Sequence, residues 1–194
     1  MEQRRKLGCV VMAAGNAKRF GANKLASQLR GRSLILRSLE AVPQEAFERV
    51  VVVTQDPEIM RLVTEFRFAS ILNDQPDEGL SRTIRLGLTA LRDCDGVLFQ
   101  VADQPLLRRE SVLALTEQWR LRPAGIAALG HGGVRGNPCV FPSALFPELM
   151  ALTGDRGGSS VIRRHEDLLT LLEVPAEELY DVDTAAALEA LERN

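Results

Sequence analysis

The chain has 194 residues, 45% hydrophobic and 26% charged, enough for one globular domain with a large core. Its 24 Lys+Arg against 26 Asp+Glu leave a formal net charge of −2, which argues against non-specific binding to a nucleic-acid backbone, and no apolar run approaches the ~20 residues of a membrane-spanning helix. The balance hides an asymmetry: nine basic residues and no acid lie between Gln3 and Leu39, whereas residues 40–194 carry 15 basic and 25 acidic ones.

In chain order, Leu7–Met12 (LGCVVM) is a continuous apolar run that predicts a strand covered on both faces. Leu7–Ala14 is too short an apolar run for a signal peptide and is followed by Lys and Arg. Ser33–Val42 has apolar residues at helical spacing and Pro43 just beyond. Arg49–Thr54 predicts a second buried strand, and Asp56-Pro57 a cap and first turn for a helix ending near Phe66. A short strand is expected at Ala69–Leu72, an amphipathic helix over Leu80–Arg92, a third long strand over Gly96–Ala102 and a helix from Arg109 to Leu121. This alternation implies right-handed crossovers and a mainly parallel sheet. Beyond Arg122-Pro123 the texture changes: a strand at Gly125–Leu129, a glycine-rich loop or hairpin at Gly130–Pro138, helices at Ser143–Leu152 and Ser159–Arg164, a strand at Thr170–Val174 and a closing helix at Thr184–Arg193. Cys9, Cys94 and Cys139 are an odd, widely spaced set without a CxxC pair, which favours a reducing cytoplasm over a disulfide framework or a cysteine zinc site. His131 and His165 are too few for a metal cluster and are expected at the surface.

Open α/β sheets bind ligands at the carboxyl ends of their strands. The first such end reads Ala13-Ala14-Gly15-Asn16-Ala17-Lys18-Arg19-Phe20-Gly21-Ala22-Asn23-Lys24. Small residues at 13–15 allow close approach to the backbone, whose exposed amides bind anions. Lys18, Arg19 and Lys24 add three unneutralised charges, and two of the chain's three lysines stand here. A triphosphate suits such a loop; a solvated basic loop is the plainer alternative. The P-loop pattern fails, because five residues separate Gly15 from Gly21 and Ala22 follows; the dinucleotide fingerprint fails at Ala13.

The pattern A-A-G-x-x-x-R-F-G-x-x-K over 13–24 resembles the signature of the MobA-like nucleotidyltransferases, and within them the molybdenum cofactor cytidylyltransferases. Four further segments extend the resemblance over nearly the whole chain. Asn73 to Ser81 resembles an N-x-x-x-x-E-G-x-S element near base and ribose, although Ser81 is equally suited to capping a helix. Asp103-Gln104-Pro105 ends a buried strand and resembles the D-x-P metal site; a turn or cap residue is the alternative reading of Asp103. Gly136-Asn137-Pro138 and Gly154-Asp155-Arg156-Gly157-Gly158 resemble acceptor-side turns. Asp181-Val182-Asp183-Thr184 resembles the closing D-x-D-T element; alternate spacing puts both carboxylates on one side, and Asp183 or Thr184 also suits a helix cap. Asn23 stands where the family often has proline.

The resemblance implies a three-layer α/β/α domain over 1–194 with a mainly parallel, Rossmann-like, nucleotide-diphospho-sugar transferase-like sheet. Residues 1–122 would bind nucleotide and 123–194 the acceptor. It implies CMP transfer from CTP to molybdenum-loaded molybdopterin with release of pyrophosphate. Arg19, Lys24 and Asp103 are then catalytic. Ala13, Ala14, Gly15, Arg19, Lys24, Glu78, Gly79 and Ser81 bind the nucleotide. Asp103 and Asp183 (Asp181 being the weaker choice) hold Mg2+, and Asn137, Pro138, Gly154, Asp155 and Gly157 meet the acceptor. No nucleic acid or membrane is implied, and a molybdoenzyme or its chaperone would receive the product in transient contact. The rival readings are GTP as donor, a sugar or alcohol phosphate as acceptor, and a non-catalytic molybdenum-cofactor chaperone.

Overall fold

The structure is a computed structural model that describes residues 5–15 and 24–193. Its centre is a seven-stranded sheet built from β1 (Leu7–Ala13), β4 (Arg49–Thr54), β5 (Ala69–Leu72), β6 (Gly96–Val101), β7 (Ile126–His131), β8 (Val134–Pro142) and β9 (Leu169–Glu173), in the spatial order β5-β4-β1-β6-β8-β7-β9. All pairings are parallel except those of β8, which runs antiparallel to both β6 and β7. The small hairpin of β2 (Gln28–Leu29) and β3 (Arg32–Ser33) stands apart.

Alternation along the buried strands feeds two cores. Cys9, Val11 and Val52 face α1 (Leu34–Glu40), α2 (Pro57–Glu65) and α4 (Arg109–Leu121), where Leu39, Val63 and Trp119 pack. Val10, Val53 and Phe99 face α3 (Leu80–Ala90), α5 (Phe146–Met150) and α6 (Ser159–Ile162), where Ile84, Leu149 and Val161 pack. The result is the expected three-layer α/β/α sandwich. A third cluster joins α7 (Ala185–Arg193), through Leu188 and Leu191, to Leu29, Leu34 and Val182.

The helix starts follow local chemistry. The Ser33 hydroxyl accepts from the Leu36 N–H at 3.3 Å, and the Asp56 carboxylate from the Glu58 N–H at 2.8 Å with Pro57 in the first turn. The glycine-rich stretch is a hairpin: Gly132 (φ 57°) and Gly133 (φ 77°) form the two-residue turn between the paired residues His131 and Val134. Both turn N–H groups donate to the Glu173 carboxylate, at 2.7 Å and 3.0 Å. Beyond the turn the chain stays extended to Pro142, so residues 134–138 are strand rather than loop; the Asn137–Pro138 peptide is cis. His131 is exposed and His165 only partly buried, as expected, and both have partners. His131 Nδ1 lies 2.9 Å from the Val174 carbonyl and His165 Nε2 2.6 Å from Glu148. Among the described residues no helix is long and apolar enough to cross a membrane.

Candidate active site

The carboxyl ends of β1 and β6 meet at one rim. Ala13 and Ala14 are buried where β1 ends and Gly15 is exposed beyond them. Lys18 and Arg19 lie outside the described residues. The chain re-enters at Lys24, the first residue of a short 3-10 turn. Beyond β6 comes Asp103, whose backbone carbonyl accepts from the Val182 N–H at 2.9 Å. Val182 is fully buried against Leu29 and Leu34, so the flanking Asp181 and Asp183 are laid beside Asp103.

Three residues from distant parts of the chain converge there. Lys24 Nζ donates to Asp103 Oδ2 at 2.8 Å and to Asp183 Oδ1 at 3.1 Å. The lysine side chain is 11% exposed, Asp103 27% and Asp183 62%. Asp181 lies next to them, on the exposed side of the segment. Partial desolvation by the surrounding protein, reinforced by the negative charges of Asp103 and Asp183, pushes its carboxyl above the usual range; a hydrogen bond from Gln104 and the Lys24 charge oppose this. Gln104 is itself buried and donates to the Leu179 carbonyl at 3.3 Å, tying the end of β6 to the closing segment.

Glu78, Gly79 and Ser81 form a second group. Gly79, at φ 85°, is the N-cap of α3 and carries no side-chain cap. Ser81 sits inside the helix, fully buried, where its hydroxyl accepts from Arg85 Nη1 at 3.1 Å. Glu78 is clamped by Arg82 at 3.3 Å and Arg85 at 2.9 Å, and Arg82 also reaches Asp74 at 2.6 Å and Asn73 at 3.0 Å. Sequence reasoning passed over both arginines, although each is placed to reach Glu78 from the first turns of the helix that follows, Arg82 at the i+4 spacing of a helical ion pair.

This group abuts the turn at 154–158. The Ser81 N–H donates to the Gly154 carbonyl at 3.0 Å, and a Cβ on Gly79 would lie 2.5 Å from Gly154 C and 2.6 Å from Asp155 Oδ1. Gly154 and Asp155 therefore form a seam with the start of α3. Gly157 and Asn137 instead line a cleft, while Pro138 is buried in β8. The cleft, about 100 Å³, has an apolar floor that includes Met12, Phe99 and Val101. Below the about 300 Å³ of sites for drug-sized ligands, it admits a substituent or ring edge. Arg135, not anticipated from sequence, lines it, donating to Ser159 Oγ at 2.7 Å with no salt bridge to a carboxylate among the described residues.

One lysine and two aspartates thus meet at the carboxyl rim of a mainly parallel α/β/α sheet, the edge where such folds bind ligands, and comparisons with known proteins give the class of the protein. Residues 9–168 match the MobA-like NTP transferase domain, and the chain belongs to that family. It is similar to the purine catabolism protein PucB of Bacillus subtilis, at 26% identity over 95% of each chain. It is also similar to a protein of Aquifex aeolicus named as a probable molybdenum cofactor guanylyltransferase, at 32% identity over 61% of this chain and 56% of that one. The fold matches the crystal structure of Rv0371c from Mycobacterium tuberculosis H37Rv with a TM-score of 0.81, at 18% identity over 99% of this chain and 100% of that one.

Proposed function

We propose that the protein transfers CMP from CTP to the terminal phosphate of molybdenum-loaded molybdopterin, releasing pyrophosphate and forming the cytosine dinucleotide cofactor. The observation that carries this reading is the meeting of Lys24, Asp103 and Asp183 at the rim where β1 ends. An acceptor phosphate oxygen forms a bond to the α-phosphorus, and the bond from that phosphorus to the β-phosphate oxygen breaks. The nucleophile is already ionised at neutral pH, so positioning and charge neutralisation replace a general base. This accords with a rim without a histidine or cysteine nucleophile among the described residues.

The donor set suits Mg2+, a hard ion that takes one or two carboxylates and completes its shell with water and phosphate oxygens. Asp103 and Asp183 supply two carboxylates aimed at one point. Among the described residues no group of three or more His, Cys, Asp or Glu is gathered to hold a metal. Bound there, the ion supplies charge neutralisation at the phosphate oxygens. Lys24 and Arg19 neutralise the departing pyrophosphate, and the backbone at Ala13, Ala14 and Gly15 receives the triphosphate. The Glu78–Gly79 turn and Ser81 shape the base and ribose side, Ser81 through Arg85. Asn137 and Gly157 border the acceptor in the cleft, with Gly154 and Asp155 on the adjoining seam and Pro138 behind them in β8. Three free, buried cysteines suit the reducing cytoplasm, where a molybdoenzyme or its chaperone would take the product.

Pyrophosphate release measured for four NTPs against molybdenum-loaded molybdopterin, a sugar phosphate and an alcohol phosphate tests this reading. CTP with molybdopterin is expected to give the highest kcat/KM. The guanylyltransferase relative makes GTP the second reading, and a GTP maximum would establish it; turnover confined to a sugar or alcohol phosphate would remove molybdopterin. Within the cleft, Arg135 is assigned to an anionic group of the acceptor. Arg135→Met is expected to raise the acceptor KM about tenfold or more with the CTP KM unchanged; a rise in the CTP KM alone would reverse the assignment.

A further inference from the structure

We infer that the Lys24 ammonium is the protein's own occupant of the divalent-cation site, held there until a triphosphate draws it away, so that metal and nucleotide bind as a coupled pair. The inference rests on Asp103 and Asp183 being the metal-holding carboxylates, as proposed above. Three observations carry it. The ammonium contacts both carboxylates at once, at 2.8 Å and 3.1 Å, and so fills the space between the same two oxygens. The lysine is 11% exposed and Asp103 27%, so this pairing is screened by water less than a surface ion pair. The backbone on the C-terminal side of Lys24 is anchored, with Ser27 N donating to Lys24 O at 3.1 Å and Leu34 N to Ser27 O at 2.9 Å. The four-carbon stem of lysine therefore swings without moving the turn.

A divalent ion placed between these two oxygens would meet the ammonium at close range, and the two positive charges repel. Without nucleotide, Lys24 leaving the carboxylates would exchange a charge-assisted contact for water. With a triphosphate present, the ammonium finds a more highly charged partner on the phosphates and vacates the aspartates. By linkage, nucleotide then raises metal affinity and metal raises nucleotide affinity by the same factor.

The test measures Mn2+ binding to the full chain without nucleotide, by titration calorimetry and by the loss of free-ion EPR signal. Lys24→Met, similar in length and uncharged, is expected to bind Mn2+ more tightly than wild type, by between about 5-fold and 150-fold. Lys24→Gln serves as a second variant that retains a donor, and the gain is expected to vanish in Lys24→Met combined with Asp103→Asn. Equal affinity in wild type and Lys24→Met, with both dependent on Asp103, overturns the inference and leaves the metal assignment standing. Weaker binding in both Lys24 variants also overturns it, because the lysine then organises the site instead of filling it. A gain that survives loss of Asp103 removes the metal assignment itself.

Discussion

Asparagine in place of Asp103 is expected to lower kcat by roughly a thousandfold, the scale of several kcal/mol of lost charge stabilisation, with the fold intact. The side-chain shape is retained, and the backbone carbonyl that accepts from Val182 N is untouched. What changes is one negative charge 2.8 Å from Lys24 Nζ. The amide offers a weak neutral ligand to a hard cation and leaves Lys24 with Asp183 alone. Pyrophosphate release at saturating nucleotide reads the loss, with circular dichroism as the check on folding. A fall of less than tenfold would take Asp103 out of the catalytic machinery.

Gly79→Ala is the second large effect, and it acts on stability and substrate binding together. At φ 85° and ψ −173° the backbone occupies a region that side chains other than glycine's rarely enter, at a cost of about 1–3 kcal/mol. The new Cβ would also fall 2.5 Å from Gly154 C and 2.6 Å from Gly154 O, both backbone atoms that no rotamer change can move. Relief requires opening the seam, which loses the 3.0 Å bond from Ser81 N to Gly154 O. Urea denaturation is expected to show a loss of at least about 2 kcal/mol, accompanied by a raised nucleotide KM. Gly31→Ala is the control: φ is +74°, but nothing lies within 4 Å of the added carbon. It should show the conformational cost alone, about 1–2 kcal/mol. Equal losses in the two variants would mean that the seam contributes nothing.

Much of the architecture was readable from residue order. The largely apolar runs at 7–12, 49–54 and 96–101 are strands because both faces are covered, and Asp56 announces its helix by side-chain capping. Strand β8 was harder to read: Gly136, Asn137 and Pro138 break the apolar pattern, and its pairing with β6 and β7 supplies the order that local preference withholds. At the rim, Lys24, Asp103 and Asp183 stand out individually. Their meeting at one ammonium spans 79 and 159 residues and depends on Val182 being buried, which no local pattern reveals. Ser81 marks the opposite case: its place in a motif suggested contact with substrate or a cap, yet its hydroxyl is buried against Arg85. Arg135 escaped notice because it sits among glycines in a stretch that reads as a loop.

The reversed direction of β8 has a consequence for how the rim is populated. Phe99 pairs with Cys139 and Gly96 with Pro142, so the beginning of β8, not its end, reaches the edge where β6 delivers Asp103. Were β8 parallel, Pro142 would stand at that edge and Arg135 would be carried to the opposite side of the molecule. One change of chain direction thus lets two neighbouring strands, joined through a crossover of helix and hairpin, contribute opposite ends to a common frontier.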